Sequence, residues 1–125
     1  MSRPRILIVD DDPAVREILA AVLERQGLKS EVAADGEQAI ACLEQNEYGA
    51  VLLDLLMPRL DGRGVIRFMR ERGIRTPVIV ISALSDTGAE LDPDVVRVTM
   101  PKPISLRDLN AVVQALLRTA GRDSG

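Results

Sequence analysis

A chain of 125 residues, 46% hydrophobic and 28% charged, has room for one domain with a sizeable core. Its net charge of −3 and its lack of interleaved basic and aromatic residues (one Phe, one Tyr, no Trp) argue against a nucleic-acid surface. With no His and a single Cys, it can form neither an intrachain disulfide nor a Cys/His metal cage, so any metal must be an oxygen-seeking ion such as Mg²⁺ or Ca²⁺.

Ile6-Leu7-Ile8-Val9 is a continuous apolar run ending in acid, the pattern of a strand buried on both faces. It is too short for the apolar region of a signal peptide, and no run approaches the roughly 18 apolar residues of a membrane span. A cytoplasmic protein is therefore expected. Asp12-Pro13 reads as a helix N-cap and first helical residue. Val15, Ile18, Leu19, Val22 and Leu23 then form one helix face, and Gly27 stops it. Leu28 to Ala33 mixes apolar and charged residues, as a strand at a sheet edge would. Asp35-Gly36 reads as a turn, and Ala39, Ile40 and Leu43 as a short helix on which Cys42 is a packing residue.

Ala50 to Leu53 is a second buried strand, terminated by Asp54, and Leu55 to Leu60 is a loop. Asp61-Gly62 opens a helix with Val65, Phe68 and Met69 on one face, closed by Gly73. Val78 to Ile81 is a third buried strand ending at Ser82. Ser85 to Pro93 is poorly patterned, with at most a short helix near residues 86–91. Val95 to Val98 is a short strand, and a last helix starts at Ser105 with Leu109, Val112, Val113 and Leu116 inward. Residues 119–125 read as a frayed tail, leaving one domain over 1–125 with its core at about 6–117. Five alternations of strand and helix predict a doubly wound parallel sheet with helices on both faces.

The chemistry sits at the strand ends. Asp10 and Asp11, Asp54 and Ser82 each close a strand, and Lys102 follows another. In an open parallel sheet all carboxyl ends lie on one edge, where ligands bind. Two carboxylates about 4 Å apart repel by roughly 4 kcal/mol at an effective dielectric near 20. A divalent cation relieves that repulsion, and Mg²⁺ accepts one or two carboxylates while leaving room for a phosphate oxygen. Metal, lysine, hydroxyl and an oxygen nucleophile are the parts of a phosphoryl-transfer site. The Gly62-Arg63-Gly64 pair follows a loop rather than a strand and lacks a third Gly, so it is no nucleotide fingerprint.

Four segments, Ile8-Val9-Asp10-Asp11-Asp12-Pro13, Leu53-Asp54-Leu55-Leu56-Met57-Pro58, Ile81-Ser82-Ala83 and Lys102-Pro103, together resemble the receiver domain of bacterial two-component response regulators. The resemblance covers about Ile6 to Leu117. It implies a five-stranded parallel sheet in order 2-1-3-4-5, with Asp54 as phosphoacceptor. It also implies Asp11 bound directly to Mg²⁺, Asp10 bound largely through water, and the Leu56 backbone carbonyl as a further ligand. Ser82 and Lys102 would contact the phosphoryl group, and the Lys102-Pro103 bond would be cis. The implied partners are a histidine kinase or phosphotransfer protein and a downstream protein that reads the phosphorylated state, with neither nucleic acid nor membrane bound directly.

The sequence departs from the family in places. Thr99 stands where many receivers have an aromatic residue, and the region of the fourth helix is weakly encoded. Leu56 and Leu84 stand where rapidly dephosphorylating members place polar side chains, which implies slow self-dephosphorylation; the resemblance further implies a protein that promotes only its own phosphoryl transfer and is not an enzyme toward other substrates. The competing reading is a degenerate receiver that acts as a phosphorylation-independent interaction module. A third, an aspartyl phosphohydrolase like the haloacid dehalogenases, needs an acid where Leu56 stands.

Overall fold

The computed structural model describes residues 5–55, 57, 61–82 and 95–124, without the side chains of Ser82 and of the residues beyond Arg118. Its strands are β1 (Ile6–Val9), β2 (Ser30–Ala33), β3 (Ala50–Asp54), β4 (Val78–Ser82) and β5 (Val96–Pro101). Its helices among the described residues are α1 (Pro13–Arg25), α2 (Gly36–Gln45), α3 (Gly62–Glu71) and α4 (Leu106–Ser124). The strands are all parallel, in order β2-β1-β3-β4-β5. This is the doubly wound sheet that the alternation predicts.

Alternating side chains on the central strands divide the core into two layers. Leu7, Val9, Val51, Leu53, Val78 and Val80 pack with Ala39, Leu43, Val65 and Met69 of α2 and α3. Ile6, Ile8, Leu52, Ile79 and Ile81 pack with Leu19, Leu23, Leu109 and Val113 of α1 and α4. Every residue of β1 and β3 is buried, so both strands read as unbroken apolar runs rather than as alternations. Each fully buried Leu or Ile contributes about 1.5–3 kcal/mol. That burial sustains strands of only four or five residues.

The helix ends follow capping chemistry. Asp12 Oδ1 accepts from the Ala14 N–H at 2.9 Å, and Pro13 fills the first helical position. Asp61 caps α3 through the N–H groups of Arg63 and Gly64. Ser105 Oγ accepts from the Asp108 N–H at 3.2 Å at the start of α4. Gly27 and Gly73, with φ of 77° and 68°, take the left-handed conformation that ends α1 and α3.

Two sequence readings change. Asp35-Gly36, read as a turn, is the N-cap and first residue of α2, because the Asp35 carboxylate accepts from the Gln38 N–H at 2.8 Å. The short strand read at Val95–Val98 begins one residue later and runs to Pro101, with Ser82 paired to Pro101. β5 is an edge strand, so Arg97 is exposed between half-buried Val96 and Val98, Thr99 is exposed before buried Met100, and its apolar run is too broken to mark its length. The other edge strand, β2, buries only Ala33, as its mixed composition predicts. The region read as a weak helix near 86–91 lies outside the described residues, and the backbone of α4 continues past Thr119 to Ser124.

At the end of the sheet opposite the strand-end acids, the Tyr48 hydroxyl donates to Glu31 Oε1 at 2.5 Å. Arg5 pairs with the same carboxylate and donates to Asn46 Oδ1 at 3.3 Å. This network ties β2 to the segment between α2 and β3. Burial, then the hydrogen bond to Glu31, raises the Tyr48 pKa above its usual 10.0. A raised folded-state pKa gives stability that is complete below the unfolded value and is lost as pH rises beyond it. Tyr48→Phe is therefore expected to lower stability by about 1 kcal/mol at pH 7. It should also flatten the decline of the wild-type urea midpoint above about pH 10. Parallel slopes in the two proteins would disprove the assignment.

Candidate functional site

β1 and β3 lie side by side at the point where strand order reverses, β1 running on to β2 on one side and β3 to β4 on the other. Their carboxyl ends are the place where an open parallel sheet takes a ligand. Asp10 directly follows β1 and Asp54 is the last residue of β3. Carboxylate oxygens of Asp10, Asp11 and Asp54 all lie within 4.8 Å of one another. Asp10 and Asp54 are almost fully buried, 2% and 4% exposed, whereas Asp11 is exposed at the mouth.

Lys102 reaches in from just beyond β5. Its Nζ lies 3.3 Å from Asp10 Oδ2 and 3.3 Å from Asp54 Oδ2, bridging the two buried acids. Burial by itself lowers the lysine pKa, but the charges of Asp54 and then Asp10 outweigh it, and the net shift is upward. Lys102 is therefore charged at neutral pH. Three carboxylates and one ammonium leave two net negative charges in the pocket. The balance, together with an all-oxygen donor set, suits one hard divalent cation.

The backbone holds these groups in place. The Asp10 N–H donates to the Ala33 carbonyl at 3.2 Å, and Asp10 Oδ1 accepts from the Asp12 N–H at 2.9 Å. The Asp10 carbonyl accepts from Arg16 Nη1 at 2.7 Å. At Asp54, the first turn of α3 seats on the strand end: the Gly62 N–H donates to the Leu55 carbonyl at 3.1 Å. A Cβ on Gly62 would stand 2.7 Å from the Asp54 carbonyl oxygen and 2.8 Å from Leu55 Cα. Only glycine permits that approach.

The structure thus brings together Asp10, Asp11, Asp54 and Lys102 as the sequence pattern predicts, and the Lys102-Pro103 bond is cis as the resemblance implies. The backbone of Ser82 ends β4, adjacent to β3; its side chain, like Leu56 and Leu84, lies outside the described residues. Two contributors were missed in the sequence. Gly62 reads in the sequence as the opening of a helix and not as a residue that the Asp54 strand end requires. Arg16 is not at a strand end, and its spacing of six from Asp10 carries no helical signal.

The fold and the pocket define a flavodoxin-like α/β protein with an acidic site at its topological switch point. The chain belongs to the response regulator receiver domain family, whose model matches residues 6–114. It is 43% identical over 124 residues to response regulator MprA of Mycobacterium sp. (strain KMS), covering 97% of this chain and 54% of that protein. The chain thus spans about half the length of the curated relatives it matches. Among solved structures it resembles response regulator TrrA of Thermotoga maritima in complex with Mg²⁺-BeF, at 30% identity and a TM-score of 0.84, covering 92% of this chain and 100% of that one. It also resembles the receiver domain of a sensor histidine kinase from Pseudomonas aeruginosa PAO1, which has a magnesium ion coordinated in its active site cleft. That match has 30% identity and a TM-score of 0.81, covering 93% of this chain and 98% of the other. Among the described residues no helix is long and apolar enough to cross a membrane.

Proposed function

We propose that this receiver is a phosphoacceptor switch in which Asp54 takes a phosphoryl group from a histidine kinase or phosphotransfer protein. The observation that carries this reading is the meeting of the Asp54 carboxylate with Asp10, Asp11 and Lys102 in one pocket. An Asp54 carboxylate oxygen attacks phosphorus, the bond to the donor breaks, and the donor keeps the electron pair. The product is an acyl phosphate on Asp54. Asp11 and Asp10, with Asp54 and the Leu56 carbonyl, would hold Mg²⁺, which offsets charge on the transferring group when bound. Lys102 sits beside the nucleophile, where its ammonium pairs with phosphoryl oxygen as negative charge accumulates. Ser82 supplies a hydroxyl donor. The magnesium sites of the two structural relatives support the metal assignment.

Neutralising the pocket then biases a two-state equilibrium that a downstream protein reads in the cytoplasm. Incubation with acetyl phosphate and Mg²⁺ tests the proposal: one phosphoryl group added per chain is expected, and none when Mg²⁺ is chelated. An unmodified protein would instead identify a phosphorylation-independent interaction module, the reading favoured by the exposed Thr99 on β5.

We further propose that the chain is no enzyme toward other substrates and that its acyl phosphate is long-lived. Leu56 and Leu84 supply no polar group to align an attacking water. Leu56→Asn is expected to speed phosphate release, because its amide can orient the attacking water in line with the leaving group. An unchanged release time course would defeat this idea.

A further inference from the structure

We propose that Arg16 is a positioning residue for the metal site, acting through the backbone of Asp10; this rests on the Mg²⁺ reading given above. Every hydrogen-bonding group of Asp10 is engaged. Its N–H donates to Ala33, one carboxylate oxygen accepts from the Asp12 N–H, and the other faces Lys102. The remaining group is its carbonyl. β1 ends at Val9, so this carbonyl lies beyond the strand pairing. Arg16, itself half-buried in the first half of α1, satisfies it with a charge-assisted bond of 2.7 Å.

The carbonyl of Asp10 belongs to the peptide that links Asp10 to Asp11. Fixing that peptide plane fixes the direction in which the Asp11 backbone leaves the strand. Asp11 is the exposed acid of the cluster, and its carboxylate appears in no hydrogen bond or ion pair among the described contacts. The Arg16 anchor therefore sets where the Asp11 carboxylate stands relative to the buried pair. Asp12 contributes to the same turn from its backbone side, but its carboxylate is committed to capping α1. Among the described residues, Arg16 is thus a side chain beyond the acids and Lys102 that is bonded directly to this metal-binding turn.

The test is a MgCl₂ titration of the folded protein, followed through the backbone amide resonances of Asp10 to Asp12. Arg16→Met is expected to weaken Mg²⁺ binding by about tenfold, at the low end for loss of an outer-shell partner. Arg16→Lys, which keeps one cationic donor, should recover part of that loss. At saturating Mg²⁺ the rate of modification by acetyl phosphate should return close to wild type, because Asp54 and Lys102 are untouched. A purely structural role would lower the urea midpoint in metal-free buffer and leave Mg²⁺ affinity of the folded protein unmoved; that result overturns the inference. If Arg16→Met does not fold, Arg16→Gln and Arg16→Lys carry the same titration, and wild-type affinity in both overturns it equally. Wild-type protein that binds no Mg²⁺ would bring down the metal-site reading itself, and this inference with it.

Discussion

Asp54→Asn is expected to end phosphoryl incorporation from acetyl phosphate, measured as intact mass. The loss should be at least about 10³-fold, since removing a nucleophile from an enzyme site can reach about 10⁶. The amide keeps the shape of the carboxylate but has no anionic oxygen to attack phosphorus. Asp10 is no substitute, because its carboxylate is held by the Asp12 N–H and Lys102. The same substitution should act oppositely on stability. Asp54 is buried beside two other acids, and Asn removes one charge from a pocket with two negative charges in excess. In Mg²⁺-free buffer the unfolding midpoint of Asp54→Asn should equal or exceed that of the wild type, while its response to added Mg²⁺ shrinks. Phosphoryl incorporation that persists in the variant would rule out Asp54 as acceptor. A variant that is less stable in metal-free buffer would show that repulsion does not dominate the empty pocket.

Lys102→Met has the second largest expected effect, and it couples stability to pH. The lysine is the counter-charge common to Asp10 and Asp54, 3.3 Å from each, and its own pKa is raised by them. In the wild type this raised value means that the ammonium stabilises the fold at all pH values below about 10.5, with the contribution fading above. Without the ammonium, two buried acids face each other across an apolar side chain. The expected penalty at pH 7 is about 1–3 kcal/mol for removing the cationic partner shared by two buried acids. Mg²⁺ should restore more stability to the variant than to the wild type, because it replaces the missing charge. Urea midpoints at pH 7, with and without Mg²⁺, measure both effects. A variant as stable as the wild type at pH 7 in Mg²⁺-free buffer would show that solvent, rather than Lys102, screens the two acids. Phosphorylation should also fall, since the cation that faces the transferring group is gone.

Much of this site is legible along the chain because its residues are strand-end residues. An apolar run that stops at an acid marks both the strand and the edge on which the acid stands, as at Val9-Asp10 and Leu53-Asp54. The capping pairs Asp12-Pro13 and Asp61-Gly62 are equally local, since the side chain serves N–H groups two or three residues away. Legibility fails where a neighbour decides. Asp35-Gly36 looks like any turn until the helix that follows supplies an N–H for the carboxylate to cap. β5 looks four residues long because one of its edges pairs only with β4, so exposed Arg97 and Thr99 interrupt the apolar signal. Gly62 is legible as the start of a helix, but the sequence does not show that it must be glycine because the Asp54 carbonyl would sit 2.7 Å from any Cβ.

Sequence alone determined the five strands, their parallel arrangement and the set of acids, because strand burial and helix capping depend on residues close together in the chain. Tertiary structure decided which charges face which. Lys102 meets Asp10 and Asp54 across 92 and 48 residues, and Glu31 meets Tyr48 and Arg5 at the other end of the sheet. Such pairings depend on the register of the parallel strands and the seating of helices on them, and Coulomb energy at a few ångströms depends on distance in space, to which order along the chain is blind.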